Sequence, residues 1–126
     1  MRLLSLVAIL AGCAGCAATP PSRHYKLVTF PRSAAEEPIL SGPPETDGMV
    51  SGYVALAPGE GMHRHTTGAN EELLVFLGGK GEVVLGGERV TVLAGEALYI
   101  PPYTEHEVHA SAPDGLRYVY TVAPAR

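Results

Sequence analysis

The sequence predicts an all-β domain, a sandwich or barrel of short antiparallel strands. Three observations carry that prediction. Gly and Pro are abundant, at 15 and 11 residues, and Glu and Lys never recur at helical spacing, which favours tight turns over helices. Seven or eight short apolar runs are separated by turn signals at short intervals. Gly86-Gly87 sits between two such runs, a strong signal for a tight hairpin.

Taken in order, residues 24–30 form a strand-like run in which Tyr25, Leu27, Val28, Thr29 and Phe30 are good strand formers. Residues 31–48 are rich in Pro, Gly and acidic side chains and read as an irregular connection, too long for an ordinary turn. Residues 50–57 alternate loosely as a strand, ended by the turn Pro58-Gly59-Glu60-Gly61. Residues 72–77 make the next strand, stopped by Gly78-Gly79. Residues 82–85 and 89–93 flank the hairpin, and residues 97–100 end at Pro101-Pro102. Residues 105–110 and 116–122 are separated by a turn at Pro113-Asp114-Gly115.

The chain has 126 residues and a formal net charge of −4, enough for one domain. No Lys/Arg cluster appears, which argues against a nucleic-acid partner. The N-terminus reads as a secretory signal. Arg2 is followed by an apolar stretch over residues 3–10, broken only by Ser5, and then by small residues. The stretch is too short to span a membrane in the mature protein. Leu10-Ala11-Gly12-Cys13 resembles the lipobox of bacterial lipoproteins, which implies lipidation of Cys13, export, and a membrane anchor facing the periplasm. Ordinary cleavage near Ala17 or Ala18 would instead release a soluble periplasmic or secreted protein. Cys13 and Cys16 also fit a C-x-x-C spacing, but no second Cys pair and no βαβ pattern accompanies it. The chain then divides into a signal peptide over residues 1–12, a lipidated Cys with spacer, arm and Pro-rich connection over 13–48, and the barrel over 49–126.

Four of the five histidines fall in two short windows, His63 with His65 and His106 with His109. In an extended chain alternate side chains share a face, so His63 and His65 point together. Two imidazoles on one face with a glutamate soon after suit a transition metal. His109 lies an odd number of residues from His106 and is expected to face outward, and His24 is expected in solvent.

The segment from Pro58 through His63-Arg64-His65 to Glu71-Glu72 and Gly81 resembles the first motif of the cupin superfamily: Gly, an H-x-H pair, a Glu, and a Gly seven positions later. The segment from Gly95 through Pro101 to His106 is similar to the second cupin motif. The resemblance extends over residues 49–124 and implies a single cupin jelly-roll barrel with one divalent transition metal ion on His63, His65, Glu72 and His106. Iron, manganese, zinc, nickel and copper all suit such ligands. The sequence departs from the pattern at four places. The gap between His65 and the Glu is long, so the loop 66–70 must bulge, which Gly68 and Asn70 permit. Tyr103 stands where the second motif usually has Gly, which suggests a turn that tolerates a side chain there. Ala110 replaces a frequent Asn, and Ala57 an opening Gly. Glu71 and Glu72 count equally well to a Gly, but the family's G-x-G matches Gly79-Lys80-Gly81 and selects Glu72. Parity then puts Glu72, Leu74 and Phe76 inside, and Glu71, Leu73, Val75 and Leu77 outside.

Inward Leu74, Phe76 and Val108 suggest a small, mostly apolar cavity, with Tyr53, Tyr99 and Tyr103 as polar handles near it. The fold does not name a reaction. One reading is a metal-dependent enzyme of dioxygenase, isomerase or lyase type on a small metabolite, with Tyr103 and Glu105 as candidate proton carriers. The other is a non-catalytic ligand- or metal-binding or sensing cupin of the cell envelope. The outward aliphatic row Leu73, Val75 and Leu77 asks for a cover, either the arm at residues 24–30 or, as the expected solution, a second subunit in a homodimer.

Overall fold

The structure, a computed structural model, describes residues 24–31, 33 and 35–126. The expected signal peptide and the candidate lipidation site Cys13 lie outside the described residues. Those described form eight strands: β1 (Glu36–Ser41), β2 (Val50–Leu56), β3 (His65–Thr66), β4 (Asn70–Leu85), β5 (Glu88–Leu93), β6 (Ala97–Ile100), β7 (Glu105–Ala110) and β8 (Leu116–Pro124). Among the described residues no helix is long and apolar enough to cross a membrane.

All pairings are antiparallel, and the strands curl into two facing layers. One layer runs β1-β2-β8 and continues through the first half of β4 to β6. The other is built on the second half of β4, with β5 on one side and β7 then β3 on the other. β4 is therefore the central strand of both layers and must bend between them. The bend falls where the β4–β8 register shifts, between Phe76 and Gly78. Gly79 follows with φ 80°, and a Cβ there would collide with the Gly115 carbonyl. Glycine alone satisfies both conditions. The expected stop at Gly78-Gly79 is thus a bend within one long strand. The hairpin between β4 and β5 turns on Gly86 and Gly87, both at positive φ, as its two-residue length requires.

Inward parity on β4 is clear. Glu72, Leu74 and Phe76 are 7 %, 1 % and 1 % exposed, against 42 % and 40 % for Leu73 and Leu77. Leu74 and Phe76 join Val83, Ile100, Val108 and Leu116 in the core.

The N-terminal segment departs from expectation. Residues 24–30 form no strand, and β1 arises inside the stretch read as an irregular connection. Strand-forming side chains make a strand only where a partner edge is free, and the free edge of β2 is taken by residues 36–41. Pro38 sits in β1 beside a register shift, a position that only an edge strand tolerates. The sheet therefore begins upstream of residue 49. The arm does fold back on its own barrel: the Phe30 ring stacks on Tyr53 at 4.7 Å, and the Tyr53 hydroxyl donates to the Pro31 carbonyl at 3.2 Å. It covers the outer face of β2 and leaves Leu73 and Leu77 on β4 exposed.

Candidate metal centre

The first histidine of the centre rides on β3, only two residues long, which pairs with β7 through His65 opposite His106. Residues opposite one another on paired strands share a face, so the two imidazoles meet, with ring centroids 4.2 Å apart. Each ring is oriented by the backbone carbonyl two residues before it. His65 Nδ1 lies 2.9 Å from the His63 carbonyl, and His106 Nδ1 lies 3.3 Å from that of Thr104. A carbonyl only accepts, so both rings donate from Nδ1 in these bonds and turn Nε2 into the site. That is the orientation a metal-binding histidine needs.

Glu72 enters from β4, and its Oε2 lies 3.1 Å from His106 Nε2. Both side chains are buried, and the Glu72 carboxylate has its polar partner in His106 Nε2. Burial pulls the His106 pKa down, but the hydrogen bond to Glu72, the Thr104 carbonyl and the Glu72 charge outweigh it, so the net shift is upward.

Ligand atoms of His65, Glu72 and His106 all lie within 4.8 Å of one another. Two donors each about 2.1 Å from one ion and at right angles would stand about 3.0 Å apart, and the separation between Glu72 and His106 fits this. Two imidazoles and a carboxylate are also a donor set that first-row divalent metals favour. The residues present therefore fit a metal ion. His63 does not join this group. The alternation argument holds within a strand, and β3 begins only at His65. His63 lies in irregular chain before it and is exposed, and its backbone carbonyl is what meets the His65 ring.

Thr67 was not singled out by sequence reasoning, yet it fastens the two histidine-bearing segments together. It is buried, its hydroxyl donates to the Pro101 carbonyl at 2.9 Å, and it accepts from the Thr104 amide at 3.0 Å. Its amide donates to the Thr104 carbonyl. A threonine after an H-x-H pair gives no signal of this in the sequence. The loop beyond it bulges at Gly68 with φ 57°, as its length requires.

A cavity of about 230 Å³ opens beside the three candidate ligands. Val54, Met62, Leu74, Val108 and Val122 give it apolar walls, and Tyr118, Tyr120 and Glu36 add polar groups. The tyrosines proposed from sequence are elsewhere. Tyr53 is buried under Phe30, Tyr99 donates to Glu71 at 2.9 Å on the outer face, and Tyr103 is 78 % exposed. Tyr118 and Tyr120 were legible in principle, because Leu116, Tyr118, Tyr120 and Val122 alternate along β8. Burial first, and then the charges of Glu72 and Glu36, raise the pKa of Tyr118. Burial, Glu36 and Glu72, in that order, raise that of Tyr120. Both phenols stay protonated at neutral pH and can donate.

The two candidate proton carriers do not line this cavity. Tyr103 has φ 55°, so the turn takes a side chain where the motif usually has Gly. Glu105 points away from His106 and pairs with Arg64 at 3.3 Å. His109 is exposed, 3.5 Å from Glu107.

A cupin-domain family model matches residues 52–122, more than half of the chain. A polyketide synthase protein, CurC, of Streptomyces cyaneus is 32% identical over 84 residues, covering 64% of this chain and 54% of that protein. The chain spans about half the length, or less, of the curated relatives it matches. Among solved structures, a cupin protein from Bacteroides fragilis superposes with a TM-score of 0.69 at 22% identity, covering 82% of this chain and 86% of that one. An RmlC-like cupin with a double-stranded β-helix fold from Methanocaldococcus jannaschii gives 0.68 at 21% identity, covering 79% and 91%. At these identities the likeness speaks for the fold. With both motifs occupied, the two-layered curl centred on β4, and the family match over residues 52–122, the chain belongs to the cupin family.

Proposed function

We propose that this cupin is a metal-dependent enzyme of the bacterial cell envelope that acts on a small metabolite. The observation that carries the reading is the convergence of His65, Glu72 and His106 at the wall of a mostly apolar cavity with two protonated tyrosines. In this reading the three hold one divalent ion, and His63, two residues from His65, supplies the fourth donor. A bound ion would act as a Lewis acid toward a substrate oxygen. The chain itself excludes water with Leu74, Val108 and Val122 and offers hydroxyl donors from Tyr118 and Tyr120. The cavity suits a molecule of a few carbons, and a relative named for polyketide synthesis is in keeping with a small organic ligand. Location in the envelope rests on the lipobox-like Leu10-Ala11-Gly12-Cys13. The outer row Leu73, Val75 and Leu77, which the arm leaves uncovered, supports a homodimer.

Reconstitution with iron, manganese, zinc, nickel and copper in turn, followed by a metabolite screen with oxygen monitored, tests the enzymatic reading. Turnover that depends on the ion is the expected result. Ligand binding to every metal form without turnover would favour a binding or sensing role instead. Cys13→Ser should abolish fatty-acid incorporation, and processing like wild type would remove the anchor from the proposal.

A further inference from the structure

We propose that Glu36 is a specificity-determining residue that keeps anions off the metal centre and selects small, neutral, hydroxyl-bearing ligands. The inference rests on the metal reading above. Its starting point is register. Glu36 on β1 is opposite Val54 on β2, and Val54 is opposite Tyr118 on β8. Side chains opposite one another share a face, and Val54 and Tyr118 are both buried, so that face is the interior. Glu36 therefore turns a carboxylate inward from the edge of the sheet, at the exposed rim of the cavity that holds His65, Glu72 and His106.

Its neighbours fix what it can do. Tyr120 lies across β2 over Gly52, where a Cβ would stand 2.5 Å from the phenol oxygen. The missing side chain lets the ring cross β2 toward β1, the strand that carries Glu36. An acceptor and a hydroxyl donor thus face one ligand from the same end of the cavity, with the metal ligands at another part of its wall. Among the described residues no Lys or Arg lines the cavity, and the carboxylates that do are Glu36 and Glu72. A divalent ion held by neutral imidazoles would be balanced by those two charges. Without Glu36 the site would carry a net positive charge and attract anions, since charges lining one cavity set the potential met by whatever enters it. With Glu36 in place, a carboxylate or phosphate ester gains little from the metal, whereas a ligand hydroxyl can donate to Glu36 while a second oxygen meets the ion.

Cobalt-loaded protein supplies a visible spectrum that reports ligands entering the metal shell. We expect dihydroxyacetone, a neutral hydroxycarbonyl, to perturb the wild-type spectrum, and oxalate to do so only weakly. Glu36→Gln should tighten oxalate binding about tenfold or more and weaken dihydroxyacetone, and Glu36→Asp should keep the wild-type preference. Equal oxalate affinity in wild type and Glu36→Gln, at equal cobalt content and with both proteins folded by circular dichroism, overturns this inference and leaves the metal site standing. Failure of wild-type protein to bind cobalt overturns both.

Discussion

The two halves of the candidate ligand set are built differently. His106 and Glu72 are buried and belong to β7 and β4, strands each paired on both sides. His65 is exposed and sits on a two-residue strand held by β7 and by the Thr67 contacts, and His63 precedes any strand. The first half is part of the framework and exists because the barrel exists. The second half is an attachment whose precision depends on a few hydrogen bonds. An ion bound between them would be anchored by one half and enclosed by the other.

Mutations should grade along that difference. Replacing His106 or Glu72 is the largest perturbation. His106→Ala should abolish measurable zinc binding in a competition titration, and Glu72→Ala should also destabilise the metal-free protein by about 1–3 kcal/mol, because His106 is left buried without its partner. His65→Ala should weaken zinc by about a hundredfold while leaving metal-free thermal stability nearly unchanged. Thr67→Val removes both side-chain bonds between the loops at constant shape, and a cost of about ten- to a hundredfold in affinity is expected for a group that orients ligands. His63→Ala should be the mildest, within about tenfold. If His63→Ala matched His106→Ala, the division into framework and attachment would be wrong.

Proton competition sharpens the same comparison. The folded protein raises the His106 pKa above its ordinary value of about 6.5. In the metal-free protein the protonated pair with Glu72 therefore contributes stability that is fully present below that ordinary value and is lost as pH rises through the raised one. A metal needs the unprotonated ring, so its stabilising effect runs the other way. Thermal melts should show the zinc-induced increase in Tm growing as pH rises through this window. A zinc-induced shift that does not vary with pH would remove His106 from the ligand set.

Much of the framework half was legible in the sequence, and the reason is periodicity. Alternation holds in β7 and in the first half of β4, before the bend, so parity plus the G-x-G at Gly79-Lys80-Gly81 was enough to separate Glu72 from Glu71. The attachment half is less legible, because alternation applies within a strand and His63 lies outside β3. β1 escaped notice because Pro38 breaks its pattern, and an edge strand is defined by the vacancy beside β2, a fact of tertiary structure. Residues 24–30 failed in the opposite sense, since they have strand-forming side chains but no edge to join. Glu36 was missed along with β1, and Gly52 carries no local mark of the ring that lies over it.

The outer face of β4 allows a smaller test of the assembly. Val75→Asp lies outside the cavity and should leave metal binding intact while shifting a dimer toward monomer in sizing experiments. A monomer for wild type at all concentrations would leave that face simply exposed.

The measurement closest to the central claim is metal stoichiometry by elemental analysis after zinc reconstitution and removal of free ion, with wild type beside the double variant His65→Ala with His106→Ala. The account predicts about one ion per chain in wild type and none in the variant. Absence of zinc from wild type, or the same amount in both proteins, would contradict it.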